Sequence, residues 1–267
     1  MKILDATIEI RSRTTTEVID LATLFYRAHW KLLLPLALLL GLPVAGACAG
    51  LHALTGRWWL ALLAFILLSA VPSGAVVLAA SRLVFGTPLH IGSTLRLYAS
   101  TWAGLFFRRA GQTLLTLLLL PLGAGLALRL RWAFTPMIVL LERLGGRELA
   151  RRRVGLNRRG GVGSLGLDIA CWLVCALLLL AVVVVVDLVV TDLLGSWSDG
   201  GLFSVEALDD PLRFGTWMAA WLLVLPVGQL AWFFAYINAR IRGEGWDLEL
   251  GFRETAARLA RDRGIAA

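Results

Sequence analysis

Six long apolar stretches divide the chain, and each predicts a helical membrane segment. They occupy residues 31–54, 58–83, 110–127, 132–142, 165–190 and 214–238. A helix that crosses a bilayer needs about 20 apolar residues, each adding ~1.5 Å of length. The composition agrees, since 58% of the residues are apolar and the mean hydropathy is +0.77. The pattern therefore predicts an all-α, polytopic membrane protein with a single transmembrane domain over 31–238.

The third and fourth segments are shorter than the others. Together they occupy only residues 110–142, whereas two complete spans need about 40 residues. Arg129 and Arg131 interrupt this region. We therefore expect a short hairpin whose second arm is broken or re-entrant, and whose tip carries these two arginines near the outer face.

Outside the spans, apolar residues recur at spacings of three and four, which is typical of amphipathic helices on a membrane surface. The N-terminal segment 1–30 contains one such pattern, from Glu17 to His29, preceded by threonines that can cap a helix. The second pattern ends at Arg109, and the third lies in the C-terminal tail 239–267. Their apolar positions are Leu95, Tyr98, Trp102 and Leu105 for the second, and Leu248, Phe252, Ala256 and Leu259 for the third.

The distribution of basic residues predicts the orientation. Seven arginines lie between the fourth and fifth segments, within 143–163. Because cytoplasmic loops are enriched in lysine and arginine, we expect this segment and both termini in the cytoplasm of a bacterium, with the spans in its inner membrane. This arrangement places 22 of the 26 basic residues inside. The net charge of +8 is then explained without a nucleic-acid partner.

Polar groups within or beside the spans are candidate sites, since ionisable residues inside a membrane are often functional. They are Arg129, Arg131, Asp168, Asp187 and Gln229. Two interpretations stay open: a functional site, or interfacial placement with structural pairing. We expect at least one of the two arginines to pair with Asp187 or Asp192, because both aspartates end the fifth segment on the predicted outer side. The alternative is that the arginines reach lipid head groups and the aspartates face water.

A glycine pattern, G-x-G-x-x-G, occupies residues 161–166. It follows arginines rather than a β-strand, which argues against a dinucleotide site. Arg158, Arg159, Gly161 and Gly163 are candidates for binding an anionic phospholipid, because a helix N-terminus beside basic residues attracts phosphate. The alternative is a flexible joint whose arginines only mark the cytoplasmic side.

The residues of enzymes and metal sites do not come together in the sequence. His29, His52 and His90 lie in three separate segments and form no metal-binding motif. Nothing assembles a nucleophile, a base and an orienting group. We therefore expect no enzymatic activity and no cofactor. The cysteines lie in apolar runs and are expected to be buried.

Two stretches resemble known bacterial membrane proteins. Residues 136–152, with Pro136, Glu142 and Gly145, resemble a segment of six-segment proteins related to the membrane domain of glycerophosphodiester phosphodiesterases. Residues 235–250 resemble the ending of other membrane proteins, some of them encoded beside AAA ATPases of the MoxR type. The matching residues there are Arg240, Arg242, Glu244, Gly245, Asp247 and Glu249. No phosphodiesterase barrel accompanies these stretches, so the resemblance implies a membrane topology and no hydrolase activity.

Two functions follow as expectations. The first is a non-enzymatic component of a bacterial envelope assembly, which binds partner proteins or anionic lipid at its cytoplasmic face. The alternative is a transporter or channel for a small or lipid-like solute. A water-accessible cavity that reaches Asp187 or Gln229 would favour transport, and a solid core would favour the first function.

Overall fold

The computed structural model describes residues 12–86, 91–159, 164–194 and 209–244, which form helices joined by short turns. The α-helices are α1 (Thr15–Thr55), α2 (Trp58–Leu68), α3 (Ala70–Val84), α4 (Ile91–Ala99), α5 (Trp102–Leu119), α6 (Ala124–Trp132), α7 (Thr135–Met137), α8 (Gly146–Arg159), α9 (Ser164–Leu194) and α10 (Pro211–Glu244). A 3-10 turn, Leu120–Leu122, separates α5 from α6, and a π-helical turn, Ile138–Glu142, follows α7.

Within the described residues, six helical stretches are long and apolar enough to cross a membrane, which confirms the predicted all-α polytopic fold. They are Thr15–Thr55, Trp58–Val84, Trp102–Leu122, Ala124–Glu142, Leu165–Val186 and Arg213–Glu244. Large apolar side chains cover their outer faces; Leu118, for example, is 74% exposed in the isolated chain. Lipid acyl chains cover such a surface without the free-energy cost that water would impose. The chain is therefore a multi-pass membrane protein.

The centre of the bundle is formed by α1 and α10. A Cβ atom added at Gly41 would lie 2.5 Å from Leu222, so the missing side chain lets the two helices approach closely. Leu33 and Leu230 are fully buried nearby. α1 bends at His29, whose φ of −117° and ψ of 17° are not helical. The bend directs the first part of α1 across the C-terminal half of α10.

This first part of α1 was predicted to lie on the membrane surface, but its apolar face packs against protein. A capping box of Thr14 and Glu17 begins the helix, as the threonines indicate. Val18 and Phe25 are buried, and the ring of Phe25 meets that of Phe234 edge-on at 5.3 Å. The helix then continues into the first span instead of ending at residue 29.

The second predicted surface helix is divided between α4 and α5, and α4 packs along α3. The Tyr98 hydroxyl donates to the backbone carbonyl of Ala70 at 3.4 Å, and its ring covers Gly74. Arg82 donates to the hydroxyl of Ser93 at 2.9 Å. α4 therefore runs antiparallel to α3, and its periodic apolar face is covered by a helix.

The prediction that Arg129 and Arg131 form the tip of the hairpin is wrong. The chain turns at residues 120–123, where Gly123 adopts a φ of 70° and its N–H donates to the carbonyl of Leu120 at 3.0 Å. Glycine reaches this left-handed conformation at little cost, which explains why the turn forms there. Both arginines follow the turn on the returning arm.

The returning arm also differs in length from the predicted segment 132–142. It begins at Ala124 and continues with one break to Glu142, which makes it long enough to be a span. α6 packs tightly against α5, because a Cβ atom at Gly125 would lie only 2.4 Å from the backbone oxygen of Thr116. The hairpin thus depends on a glycine at this contact.

We predict that Gly125→Ala destabilises the protein by about 1–3 kcal/mol, since overpacking forces backbone shifts. The measurement is the thermal midpoint of the full chain in detergent. Gly111→Ala is the matched control, because Gly111 lies on the same hairpin with nothing within 4 Å of an added Cβ atom. Equal midpoints for the two variants would contradict the close contact between α5 and α6.

Candidate functional site

The first described residues and the last meet at one end of the bundle. The side chain of Asn238 accepts a hydrogen bond from the backbone N–H of Arg13 at 2.9 Å and donates to its carbonyl at 3.0 Å. Arg242 donates to the same carbonyl at 2.6 Å. α8 reaches this end too, because Arg152 on α8 pairs with Glu244 on α10. We call this end of the bundle the basic end and define it by Arg13, Arg152 and Glu244.

At the basic end a single carboxylate joins three segments. Glu142 accepts two hydrogen bonds from Arg152, one from Nε at 2.7 Å and one from Nη2 at 3.0 Å. The Tyr236 hydroxyl donates to the same carboxylate. The Nη1 atom of Arg240 lies 3.7 Å from Oε1 of Glu142. Glu142 thereby connects the end of the fourth span with α8 and α10.

Glu244 completes the group, which we call the Glu142 network: Glu142, Arg152, Tyr236, Arg240 and Glu244. The Arg240 guanidinium donates to Glu244 at 2.9 and 3.1 Å, and Arg152 also pairs with Glu244. Two carboxylates thus face two guanidinium groups. Their side chains are 14–28% exposed, so each charge is partly removed from water and needs its partners.

The backbone before α8 places Glu142 in this position. Pro136 and Met137 are buried in the short helix α7, and the π-helical turn follows directly. Such turns are uncommon and are frequently found at functional sites. Arg143 then adopts a φ of 54°, which ends the helix and leads the chain toward α8. A left-handed conformation is rare for a residue with a side chain.

The electrostatics of the network hold Arg152 in its charged form. The hydrogen bond to Glu142 raises the pKa of Arg152 above its usual value, and the charges of Glu142 and Glu244 add to this effect, whereas burial opposes it. The Arg240 guanidinium lies 5.8 Å from the centre of the Tyr236 ring, within the range of a cation–π contact. The network is therefore a fixed, neutral group of paired charges.

A groove of about 450 Å³ lies beside the network, between α8 and the end of α10. Its lining residues are Leu144, Glu148, Arg151, Arg152, Gly155, Leu156, Gly243 and Glu244. Leu156 is buried, whereas Glu148 and Arg151 are exposed. The groove thus combines apolar side chains with charges of both signs. This chemistry suits the apolar face of an amphipathic peptide segment.

The residues that carry the resemblance come together here, although nearly a hundred positions separate the two stretches. Glu142, Arg240 and Glu244 belong to the network, and Arg242 binds Arg13. Pro136 is buried one turn before the network, and Gly145 is exposed before α8. Gly245, Asp247 and Glu249 lie outside the described residues, as does the tail pattern. The sequence did not single out Arg152, because it is one of seven neighbouring arginines.

A second ion pair joins α6 to α9. Arg129 donates to both oxygens of Asp168 at 3.2 and 3.3 Å, and its guanidinium lies 4.9 Å from the ring centre of Trp172. The Asp168 side chain is only 4% exposed. The predicted pairing with Asp187 or Asp192 is wrong for Arg129, since Asp168 begins α9 and those aspartates end it. Because the chain turns at residues 120–123, Arg129 lies on the returning arm, beside the start of α9.

The other candidate residues are not gathered into one site. Gln229 is half-buried on α10, and Arg131 is exposed at the end of α6. The side chains of Asp187, Asp192, Arg158 and Arg159 lie outside the described part of the chain, together with Gly161 and Gly163. Cys48, Cys171 and Cys175 are buried. Within the described ranges, no three His, Cys, Asp or Glu side chains cluster closely enough to hold a metal ion.

Comparisons with known proteins leave the resemblance untested. No family model, curated protein or solved structure matches the chain. The relation to the membrane domain of glycerophosphodiester phosphodiesterases therefore stays a prediction.

We predict that Glu142→Gln destabilises the protein by about 1–3 kcal/mol, because it leaves Arg152 and Arg240 partly buried without their shared anion. The thermal midpoint in detergent measures the effect. A double-mutant cycle with Arg152→Gln is expected to be strongly non-additive, since both changes remove the same interaction. Glu148→Gln serves as control because Glu148 is exposed on α8. Strictly additive losses would contradict a shared network.

Proposed function

We propose that this protein is a non-enzymatic component of a bacterial envelope assembly, and that it binds a partner protein at its basic end. The groove between α8 and α10 is the observation that carries the proposal. An amphipathic helix of the partner would place an apolar side chain against Leu144, and charged groups beside Glu148 and Arg151. The Glu142 network fixes both walls of this groove before the partner arrives.

Because the Glu142 network already holds both walls of the groove in place, a partner is expected to bind more tightly. A binding surface that is already ordered loses little conformational entropy when a partner docks. Arg152 and Glu244 belong both to the network and to the groove lining, so the same contacts that hold α8 against α10 also shape the binding surface. A catalytic role finds less support, because the charged groups here are already paired with one another.

The proposed location is the bacterial inner membrane, with the basic end in the cytoplasm. α8 alone contributes six arginines, and Arg13 and Arg242 lie at the same end. Arg57 directly precedes α2, in the turn after α1. It therefore lies at the end of the first span that is opposite to the basic end. This distribution is the one that the positive-inside rule associates with a cytoplasmic face.

The second candidate function is a transporter or channel for a small or lipid-like solute. The ion pair of Arg129 with Asp168 favours it, because charged residues among membrane helices often mark the path of a solute. The lining of the groove does not include Gln229, so the groove itself gives transport no support.

Orientation is tested with single cysteines in a chain whose three native cysteines are replaced by alanine. A cysteine at Arg147 is expected to resist an impermeant maleimide added to intact spheroplasts and to react once they are lysed. A cysteine at Arg57 is expected to react in both. Both positions are exposed, so accessibility does not distinguish them. Labelling at position 147 from outside would contradict the orientation, and labelling of a cysteine at Gln229 would favour transport.

Docking in the groove is tested with a photo-crosslinking amino acid at Arg151 in living cells. We expect one discrete product with a second protein. Gly155→Trp is expected to abolish it, since a Cβ atom added at Gly155 meets nothing within 4 Å and the indole would then occupy the groove. Ala150→Trp, on the exposed side of α8, is the control. A product that survives Gly155→Trp, or a crosslink within the chain itself, would contradict the proposal.

A further inference from the structure

The junction of α6 and α8 holds two arginines that have no counter-charge among the described residues. Arg131 is exposed at the end of α6, and Arg153 is half-buried on α8. Neither forms an ion pair with any residue in the described part of the chain. The Nε atom of Arg153 is buried and has no hydrogen-bond partner. A buried donor without an acceptor is costly, and a nearby anion would lower the cost of holding the Arg153 charge there.

The two arginines are held close to each other. The side chain of Asn157 on α8 donates to the backbone carbonyl of Arg131 at 3.0 Å and fixes the end of α6 against α8. Burial lowers the pKa of Arg153, and the positive charge of Arg131 lowers it further. Like charges repel, so an arrangement that keeps them together is stabilised by an anion between or beside them.

Arg129, on the same helix as Arg131, has its positive charge balanced by a carboxylate. It lies two residues before Arg131, yet its guanidinium is bound by both oxygens of Asp168. Arg131 and Arg153 have donors of the same kind, but no carboxylate among the described residues pairs with them. The contrast points to an acceptor beyond the described residues, which a bound anion can supply.

The surroundings indicate which anion this is. α8 carries six arginines, so the side of α6 that faces α8 at Arg131 meets a strongly basic surface. Val154 on α8 is 41% exposed and Leu126 on α6 is 42% exposed. A ligand at this position meets basic groups and apolar surface together. A phospholipid offers both a phosphate and acyl chains.

We propose that Arg131 and Arg153 bind the phosphate of an anionic phospholipid at the junction of α6 and α8. Planar guanidinium groups donate two parallel hydrogen bonds to phosphate oxygens, and the exposed apolar residues nearby accommodate an acyl chain. This site goes beyond the proposed partner groove, which uses other residues of α8. Arg153 lies on the same helix as Arg158, which the sequence predicts to be part of an anion site.

The test uses the full chain purified in a neutral detergent and titrated with phosphatidylglycerol, with bound lipid counted by native mass spectrometry. We expect saturable binding to the wild type. The double variant Arg131→Gln/Arg153→Gln is expected to bind about tenfold more weakly, because two charge-assisted contacts are lost. Arg147→Gln, an exposed arginine on the same helix, is the control and is expected to bind as the wild type does.

Two further arms identify the ligand. Phosphatidylcholine is expected to bind more weakly than phosphatidylglycerol, and inorganic phosphate is expected not to displace the lipid. Equal binding of both lipids, or displacement by inorganic phosphate, would overturn the assignment to an anionic phospholipid. If the double variant does not fold, Arg153→Lys replaces it; it keeps the charge but loses the planar fork, and unchanged affinity in either variant would overturn the site.

Discussion

The arrangement of the basic end depends on one carboxylate. Glu142 accepts hydrogen bonds from Arg152 and Tyr236 and lies beside Arg240, so it joins the fourth span to α8 and α10. Without this anion, two guanidinium groups would be partly buried with only Glu244 to balance them, and breaking a buried pair costs more than the pair contributes when intact. The network, the groove and the position of α8 follow from this contact.

The parts that the sequence predicts well are those encoded in short windows. Apolar runs indicate span length directly, and five of the six predicted segments lie within helical stretches of the structure, whereas the third, 110–127, crosses the hairpin turn. Glu142, Arg240 and Glu244 were each marked by the resemblance. Their contact was not, because a hydrogen bond between residues 142 and 236 leaves no pattern in either stretch. Arg152 was missed for a similar reason: among seven arginines, nothing local distinguishes the one that faces a carboxylate.

The misplaced elements share a different cause. Apolar periodicity shows that one face of a helix is covered, but it does not show whether lipid or protein covers it. Phe25 and Tyr98 both lie on faces predicted to meet the membrane, and both are buried against other helices. The hairpin differs for another reason: the charges predict its tip at Arg129 and Arg131, whereas the chain turns at Gly123, in a left-handed conformation that favours glycine. Arg129 therefore lies within reach of Asp168.

The packing of the bundle bears on which function the architecture suits. Glycines allow α10 to approach its neighbours closely: added Cβ atoms would lie 2.5 Å from Leu222 at Gly41 and 3.2 Å from Cys175 at Gly228. Helices packed this tightly resist the sliding that alternating access requires, and an apolar contact offers an ion no ligands. Charged groups pair in the Glu142 network and between Arg129 and Asp168. The first of these two sets of contacts lies beside the groove, which supports the proposed docking of a partner.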